Sequence, residues 1–539
     1  MVGGNTMQIE RFTNQDMIDV HGNMFFYREM YKGNHGEIFP RAKDLIRRGE
    51  VIDKIRYGGE QQALKLQTPY LVANISKMIV DIPTLFINRS LGKVVTSLKN
   101  EQYDDEDDLD NIESYENKKE KQQQMIDEIT DNSKLIRQHG MNLRQWQIDG
   151  GIVAVPEIIN GKPQISFKER NIYYELDDGK TFQLRYKIEY DKKNYIHVHE
   201  EVENESSVDG KHYLYKVSAG QRLELIDDPA FVEEVIGIPP DQQTYTLEDR
   251  NRTLFIYLPN DPTFDNKFGW SSLEGQENKQ DEINWTITRT SQIFERNGKP
   301  RISVTKDVWE QLKSAAYDQH GDVTKIDHRN LEITTIDESG NSLEIHQIDT
   351  SKIGDIDYVK DIIKFMLMET QTSEKAIDFF SDEGSAYAQS GTAKFYDLFL
   401  SLMKAERLRD EYVDFIRQSF ENCLWLASVQ DGSIEVERPD ITQKEMLPIT
   451  SQERRTMNNE TYETKAQSLE TTVRNINPEK SEEWIKQEVE RIEGESTSTD
   501  SFSLLNGNQS AFNFNDNRNE NGEHLDEDGN PIDGGIDEE

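Results

Sequence analysis

Apolar residues recur at every third or fourth position in several parts of the chain, and this spacing predicts amphipathic helices. Three such segments cover residues 16–31, 70–87 and 392–427. A charged helix is also expected over 118–138, ending near Gly140. Pro83 should kink or end the helix in which it lies, because proline lacks a backbone N–H and its ring clashes with the preceding turn. Residues 1–150 are therefore expected to be mainly helical.

From Gly151 to about Tyr257 the pattern changes to short alternating runs that are typical of strands. Two of these runs, 171–176 and 181–186, flank an Asp-Gly turn and predict a β-hairpin. A further strand over 195–199 places His197 and His199 on one face. A metal pair is conceivable there, but no third ligand is apparent nearby, so we interpret them as two exposed strand histidines.

Two later helices are polar for their length and flank a short mixed segment. The first covers 272–297 and would be about 39 Å long at the rise of an α-helix. The second covers 356–370, and short strands are expected between them at 331–336 and 343–345. A long polar rod is not expected in the core of a monomer, so we interpret the first helix as wedged among copies of itself.

The last part of the chain is predicted to be a strand at 433–437 followed by helices near 450–473 and 478–493. Residues 496–539 are rich in Asn, Asp, Gly and Ser and contain eleven acids and one base, so a disordered acidic tail is expected. The acidic run at 104–110 is interpreted as a solvated loop rather than a metal cluster, because it lacks the spaced carboxylates of a calcium site.

Charge narrows the classes of function. The 539 residues include 62 Lys and Arg against 102 Asp and Glu, a net charge of −40. A static DNA-binding protein needs an excess of cations to neutralise phosphates, so bulk charge does not hold nucleic acid here. A conduit through which DNA slides is compatible with this charge, because an adhesive wall would stall the DNA.

The one cysteine, Cys423, lies in an apolar run, which argues against a nucleophile and excludes an intramolecular disulfide. The chain shows neither a signal peptide nor a membrane-spanning apolar run, so we expect a soluble protein made in a reducing cytoplasm.

Motifs of catalysis are missing. Gly179-Lys180-Thr181 matches the end of a phosphate-binding loop, but Tyr174 stands where that loop requires glycine. A dinucleotide fingerprint, a nucleophile elbow and a closely spaced Cys/His set are also absent from the sequence. We therefore predict no enzyme activity, no cofactor and no metal site. Dispersed carboxylates could still build a two-metal nuclease, and this alternative stays open although it is the least favoured.

Five segments in a fixed order resemble one known family. They are Phe25 to Tyr27 with Tyr31 to His35, Asn74 to Asp81, Phe268 to Glu274 continuing to Asn284, Ser390 to Lys394, and Ile449 to Glu453 with Glu488 to Glu493. Over residues 15–495 the chain resembles the portal proteins of long-tailed bacteriophages that infect Gram-positive bacteria. It departs from that family where Lys394 directly follows Ala393, since the family usually has a leucine before its lysine, and in a shorter stretch after Ile82.

The resemblance implies an α+β portal fold assembled as a ring, usually of about twelve subunits. Its regions would be the wing (1–268), a stem helix (269–297), the clip (298–350), a second stem helix (351–370), the tunnel loop (371–391), a long wing helix (392–430), the crown (431–495) and the acidic tail (496–539). The ring would form the channel at one capsid vertex through which double-stranded DNA is packaged, retained and ejected.

The resemblance also implies partners and a location. The partners would be other copies of the chain, the terminase large subunit at the clip, the major capsid and scaffolding proteins, and a head–tail adaptor, with no membrane involved. The protein would be part of the virion and would be present in the host cytoplasm during assembly. The main alternative is a non-channel capsid or scaffold-type interaction protein.

Within this scheme two groups of residues are candidates for contact with the channel or its DNA. The stem acids Glu274, Glu277, Asp281 and Glu282 would line the lumen and repel phosphate. Transient phosphate or DNA contacts would come from Lys299 and Arg301 beside the stem, and from Gln371 and Lys375 in the tunnel loop. For the loop residues, a solvated flexible loop without DNA contact is an equally good interpretation.

Overall fold

The computed structural model of the chain describes residues 20–52, 68–98, 109–218, 222–297, 301–305, 310, 314, 332–336, 343–346, 356–378, 391–447, 451–477 and 480–505. The chain divides into two units, residues 1–447 and 448–539. It is 53% helix and 22% strand, so the prediction of a mixed α+β protein is confirmed at that level. Among the described residues, no helix is both long and apolar enough to cross a membrane.

The helices of the first unit are α1 (Met24–Lys32), α2 (His35–Ile38), α3 (Pro40–Arg47), α4 (Ile75–Ser90), α5 (Leu109–Asn132), α6 (Leu135–Asp149), α7 (Pro229–Ile236), α8 (Glu277–Asn297), α9 (Ile356–Glu369), α10 (Lys375–Asp378) and α11 (Gly391–Gln430). Two 3-10 turns lie at Arg170–Ile172 and Pro240–Gln242. The second unit contains α12 (Ser451–Glu463), α13 (Leu469–Ile476) and α14 (Glu482–Leu505).

The strands are β1 (Leu91–Val95), β2 (Gly151–Ile159), β3 (Lys162–Glu169), β4 (Tyr173–Glu175), β5 (Thr181–Tyr190), β6 (Lys193–Glu203), β7 (Ser207–Ser218), β8 (Arg222–Leu225), β9 (Thr244–Glu248), β10 (Ile256–Pro259), β11 (Arg301–Thr305), β12 (Glu332–Ile336), β13 (Leu343–His346) and β14 (Asp440–Gln443). They form a six-stranded sheet in the order β4-β5-β6-β7-β8 with β9 on β7. Smaller sheets have the orders β10-β2-β3, β12-β11-β13 and β1-β14. The predicted hairpin is confirmed, with Tyr174 opposite Gln183.

The largest apolar cluster is centred on α11, whose buried side chains pack against α4, α5, α6 and the β2–β3 hairpin. Tyr412 lies at its centre and its ring stacks on Trp146. Cys423 is fully buried in the same cluster. Burial raises the pKa of the Cys423 thiol to about 12, so the thiol stays protonated at neutral pH.

The N-terminal helices differ from the predictions at two places. Helix α4 continues through Pro83 to Ser90, since Pro83 is buried and the apolar side chains before and after it, Ile79 and Ile87, are fully buried. Such burial offsets the lost backbone hydrogen bond. The charged helix expected over 118–138 is instead two helices. They break at Lys134, which has the left-handed φ of 50°, and not at Gly140, which lies inside α6.

The predicted strand at 433–437 is also wrong. Side chains from α5 satisfy this backbone instead, because the Gln122 amide donates to the carbonyl oxygen of Glu435 at 3.0 Å. The strand of this region is β14, seven residues later, where Val94 of β1 faces Ile441. Residues 433–437 have the alternating pattern of a strand, but a strand also needs a pairing partner, and the local sequence does not show whether one is present.

The described residues of the second unit form three helices where two were predicted. The extra break follows α12 at Lys465, which has a left-handed φ of 58°, and Ser468 then caps α13 by accepting a hydrogen bond from the backbone N–H of Thr471. Helix α14 extends to Leu505, so the predicted boundary of the disordered tail at residue 496 is too early. Residues 506–539 lie outside the described residues, as do 104–108 of the acidic run.

Helices α9 and α11 and strands β12 and β13 confirm the predictions for their segments. Helix α8 differs at its start, because residues 272–275 form a turn and the helix begins at Glu277. It is therefore about 32 Å long rather than about 39 Å. Between α8 and α9, strand β11 runs parallel to β12 and antiparallel to β13.

Candidate functional site

One face of α8 is polar yet buried. Polar side chains recur at every fourth position, from the residue just before α8 onward, and therefore form one row: Gln276, Gln280, Asn284, Thr288 and Gln292. None of the five is more than 6% exposed. The polarity of α8 was interpreted as a sign that the helix is wedged among copies of itself. The buried row gives another reason for this polarity, because its partners lie within a single chain, and contact of α8 with other copies stays a prediction.

The row satisfies the backbone of an extended segment, residues 71–74, that leads into α4. The Thr288 hydroxyl accepts from the N–H of Leu71 at 3.0 Å, and the Asn284 amide oxygen accepts from the N–H of Ala73 at 3.1 Å. The Gln280 amide donates to the Ala73 carbonyl at 2.7 Å. These side chains make the hydrogen bonds that a neighbouring strand would otherwise make, since buried backbone groups must find partners.

His35 is bound by the same row. Its Nε2 lies 2.7 Å from the Met30 carbonyl oxygen and its Nδ1 lies 2.7 Å from the Asn284 amide nitrogen. A carbonyl can only accept, so Nε2 carries the proton and Nδ1 accepts from Asn284. Burial lowers the pKa of His35, which keeps the ring neutral. Both ring nitrogens are occupied, so His35 has a structural role here.

Two of the segments that carry the family resemblance meet beside this row. The Asn74 amide donates to the Tyr31 carbonyl at 2.9 Å, and the Tyr31 hydroxyl donates to Asp81 at 2.8 Å. Gly33 has a left-handed φ of 82°, and a Cβ added to it would lie 3.2 Å from the Asn74 amide. Since Asn284 contacts both His35 and Ala73, a third such segment joins them.

The start of the third segment is held by close backbone contacts. Gly269 has a φ of 82°, and an added Cβ would lie 2.6 Å from the Gly150 carbonyl oxygen and still closer to the Asn260 carbonyl. The Trp270 N–H donates to the Asn260 carbonyl at 2.7 Å, and the Ser272 N–H donates to the Gln147 carbonyl at 2.8 Å. Only glycine fits at this position without displacing the backbone.

All four predicted lumen acids contact the N-terminal helices. The Tyr27 hydroxyl donates to Glu274 at 2.5 Å and to Glu277 at 2.6 Å, so one proton is shared between two carboxylates. Arg41 donates to Asp281 and Glu282, both at 2.7 Å. The Asp281 side chain is 11% exposed, whereas Glu274 is exposed. Which of these acids face a lumen stays a prediction.

The predicted DNA-contact residues are described only in part. Gln371 is exposed, has a left-handed φ of 54° and follows the end of α9. Lys375 is exposed at the start of α10. Arg301 begins β11, but its side chain lies outside the described residues, as does the whole of Lys299. DNA contact by these residues stays a prediction.

A cleft joins the two candidate groups, since Gln371 and Glu274 both line it together with Lys404. Lys404 is buried and donates to the Thr370 carbonyl at 2.9 Å, at the C-terminal end of α9. Burial lowers the pKa of its ammonium group to about 8. Sequence reasoning missed Lys404, because nothing in the sequence distinguishes a buried lysine from an exposed one in a long amphipathic helix.

The stem pair, defined as α8 and α9, is joined by an ion pair, a hydrogen bond and apolar contacts. Lys279 pairs with Glu369 at 2.6 Å, and Gln276 donates to the same carboxylate at 3.1 Å. Ile283 of α8 and Met366 of α9 are fully buried in one cluster. The two helices are thus held together, with the β11–β13 sheet connecting them along the chain.

The interpretation of His197 and His199 as exposed is wrong. The His199 side chain is 14% exposed, and Nε2 of His197 lies 3.0 Å from Nδ1 of His212. The Tyr245 hydroxyl gives its proton to Glu201 at 2.9 Å, so Nε2 of His199, at 2.5 Å, donates to that hydroxyl. Among the described residues, no group of three or more His, Cys, Asp or Glu side chains is arranged to hold a metal ion.

Comparison of the sequence with models of known protein families gave no match, and comparison with curated proteins gave none either.

Proposed function

We propose that the protein is a bacteriophage portal protein, one subunit of a ring-shaped channel at a capsid vertex. One observation carries this proposal. Three segments whose sequences resemble the portal family, around residues 31–35, 74–81 and 269–284, meet in one buried network although they are far apart in the chain. Chance similarities in unrelated places would have no reason to contact one another, whereas the signature of a shared fold would.

The stem pair and the small sheet between its helices support the same proposal. In a portal ring they correspond to the stem and the clip, where the terminase large subunit and a head–tail adaptor would dock. The capsid and scaffolding proteins would contact the ring elsewhere. The predicted tunnel loop follows α9 directly, and its residue Ser373 is tied to α11, because the Ser373 N–H donates to the Ser401 hydroxyl at 2.7 Å.

Exposed apolar side chains supply a surface for ring formation. They lie on α9 and on the first part of α11: Phe365, Met368, Tyr396, Leu400 and Met403. Contiguous apolar surface on a soluble protein usually marks an interaction site. In a closed ring each copy would cover this surface of its neighbour, as heterologous contacts around a rotation axis require.

The electrostatic part of the proposal concerns the walls of the channel. Acidic walls repel phosphate and let DNA slide. Glu274 and Glu277 are the better candidates for this role, because Asp281 is mostly buried against Arg41. Lys299, Arg301, Gln371 and Lys375 remain the proposed sites of transient DNA contact.

DNA packaging into capsids assembled with variant protein tests this role. We expect Glu274→Lys combined with Glu277→Lys to slow or arrest packaging, because cations would bind the phosphates. Tyr27→Phe is the matched control, since it removes the hydrogen bonds to both acids without changing charge. Unchanged packaging by the charge-reversed variant, or equal slowing by Tyr27→Phe, would contradict the electrostatic role.

The alternative of a non-channel capsid or scaffold-type protein predicts oligomers without a central hole. No described side-chain group favours the nuclease alternative.

A further inference from the structure

Helices α4 and α6 lie side by side. Arg144 pairs with Asp81 at 2.8 Å, and the Gln147 amide donates to the Thr84 hydroxyl at 3.0 Å. Farther along, a Cβ on Gly140 would lie 4.0 Å from the side chain of Asn88. The two helices therefore lie next to each other, and we call their combined outer surface the α4–α6 face.

Large apolar side chains on this face are exposed to solvent. Leu85 on α4 is 59% exposed, Met141 on α6 is 61% exposed, and Met78 is also exposed. The opposite faces of the helices already supply the core, through fully buried residues such as Ile79 and Trp146. The exposed apolar residues are therefore a second stripe that the fold of this chain leaves uncovered.

The charges around this stripe have the opposite sign to the chain as a whole. Lys77, Arg89 and Arg137 are exposed. Within the part of the chain that the structure describes, their side chains have no ion pair or hydrogen bond. Arg144 is the fourth cation, and its partner Asp81, which is half-buried, is the one carboxylate on α4 and α6 that is not buried. The α4–α6 face therefore has a net positive charge on a chain whose net charge is −40. Its exposed cations are available to pair with carboxylates of another molecule.

We propose that the α4–α6 face docks an acidic amphipathic helix of another protein. The apolar stripe of such a helix would lie between Leu85 and Met141, as helices bind in apolar grooves. Its carboxylates would pair with Lys77, Arg89 and Arg137 at the rim. The opposite charges also repel competing basic partners. The proposal does not depend on ring formation, since it uses neither the stem pair nor α11.

A labelled peptide tests the proposal directly. The probe is a fluorescein-labelled helical peptide with leucine along one face and glutamate along the other, titrated with the full chain and followed by fluorescence anisotropy. We expect Leu85→Ser combined with Met141→Ser to weaken binding about tenfold or more, as the loss of central apolar contacts does. Replacing Lys77, Arg89 and Arg137 by Gln should weaken binding similarly and reduce its salt dependence.

Two controls separate specific docking from nonspecific binding. The matched control is Val429→Ser, which removes an exposed apolar side chain from the end of α11, beside acidic Asp431 and away from the proposed assembly surface. It should leave peptide affinity unchanged. A scrambled peptide of the same composition, without an apolar face, should bind much more weakly. Circular dichroism melting of all variants should remain near that of the parent protein, because the substituted positions are exposed.

Four outcomes would overturn the proposal. Equal affinity for the scrambled peptide, or equal loss of affinity in the α11 control, would mean that the peptide has no specific site on this face. Loss of self-association by Leu85→Ser with Met141→Ser in sedimentation velocity would assign the face to a second copy. Binding to phosphatidylserine–phosphatidylcholine vesicles, but not to the peptide, would assign it to a lipid surface.

Discussion

Two helical regions of this chain reverse the usual relation between polarity and burial. Helix α8 is polar, yet its row from Gln276 to Gln292 is buried. The start of α11 is apolar, yet Tyr396, Leu400 and Met403 are exposed. The difference lies in the partners. The polar row is satisfied within the chain by backbone groups and His35, whereas no described residue covers the apolar surface of α11.

The comparison teaches that a polar helix does not imply exposure and that an exposed apolar helix implies a partner. In α8, Gln280, Asn284 and Thr288 find partners in the N-terminal region, so the helix is a structural element of the monomer. In α11, the exposed side chains do not contribute to the stability of the monomer. They therefore mark the surface on which assembly is proposed to depend.

The largest expected effect is on assembly. Tyr396→Asp combined with Met403→Asp should abolish oligomers, because two charges would be buried at a contact between copies. The melting temperature of the monomer should hardly change, since both positions are exposed. Val429→Asp, at an exposed position near the other end of α11, is the control. Sedimentation velocity measures the result, and oligomers that persist in the double variant would refute the role of this surface.

The next largest effect should come from the polar row. Asn284→Ala leaves the Ala73 N–H and a ring nitrogen of His35 without partners, which should lower the free energy of unfolding by about 2–4 kcal/mol. The exposed Asn278→Ala on the same helix should change it by less than about 0.5 kcal/mol. Urea unfolding of the full chain measures both. Equal effects would mean that the row is not the structural element described.

Backbone strain at the start of the α8 segment gives a third prediction. Gly269→Ala should destabilise the protein by about 3 kcal/mol, because the added Cβ meets two carbonyl oxygens as well as an unfavourable φ. Gly275→Ala has a similar φ of 77° but nothing within 4 Å of its Cβ. It should cost only about 1 kcal/mol. Thermal unfolding distinguishes the two, and a similar cost for both would mean that the close contact is unimportant.

The smallest effect concerns pH. Burial lowers the pKa of His197 to about 3 and of His212 to about 2, so both are neutral in the folded protein. In the unfolded chain they would bind protons below their ordinary value of about 6.5. Stability should therefore fall as the pH decreases below about 6.5, and these two groups should contribute no pH dependence above it.

Combining His197→Gln with His212→Gln should flatten this part of the stability profile, which urea unfolding between pH 7 and about 4 would measure. An unchanged slope would show that these two rings do not set the acid sensitivity.

The sequence predicted the elements with long periodic patterns and missed those that depend on distant partners. Helices α9 and α11 were found because many positions repeat the same spacing. The break at Lys134 was missed because the local sequence does not indicate that a lysine will adopt a left-handed φ. The cluster around His199 was missed because His212 faces it only through the register of β6 and β7.

The candidate site shows the same limit. The row on α8 was seen as a polar pattern, but its partners, including His35 and Ala73, are more than 200 positions away and no local pattern pairs them. Burial of a polar side chain follows from what satisfies it, and that information is tertiary.

The measurement that most directly tests the central claim is electron microscopy of the purified full-length protein in negative stain. The portal proposal predicts rings with a central hole, whose rotational symmetry gives the number of subunits. Closed particles without a hole would instead support a non-channel capsid or scaffold-type protein. A protein that forms no rings and stays monomeric at every concentration in sedimentation velocity would contradict the proposal.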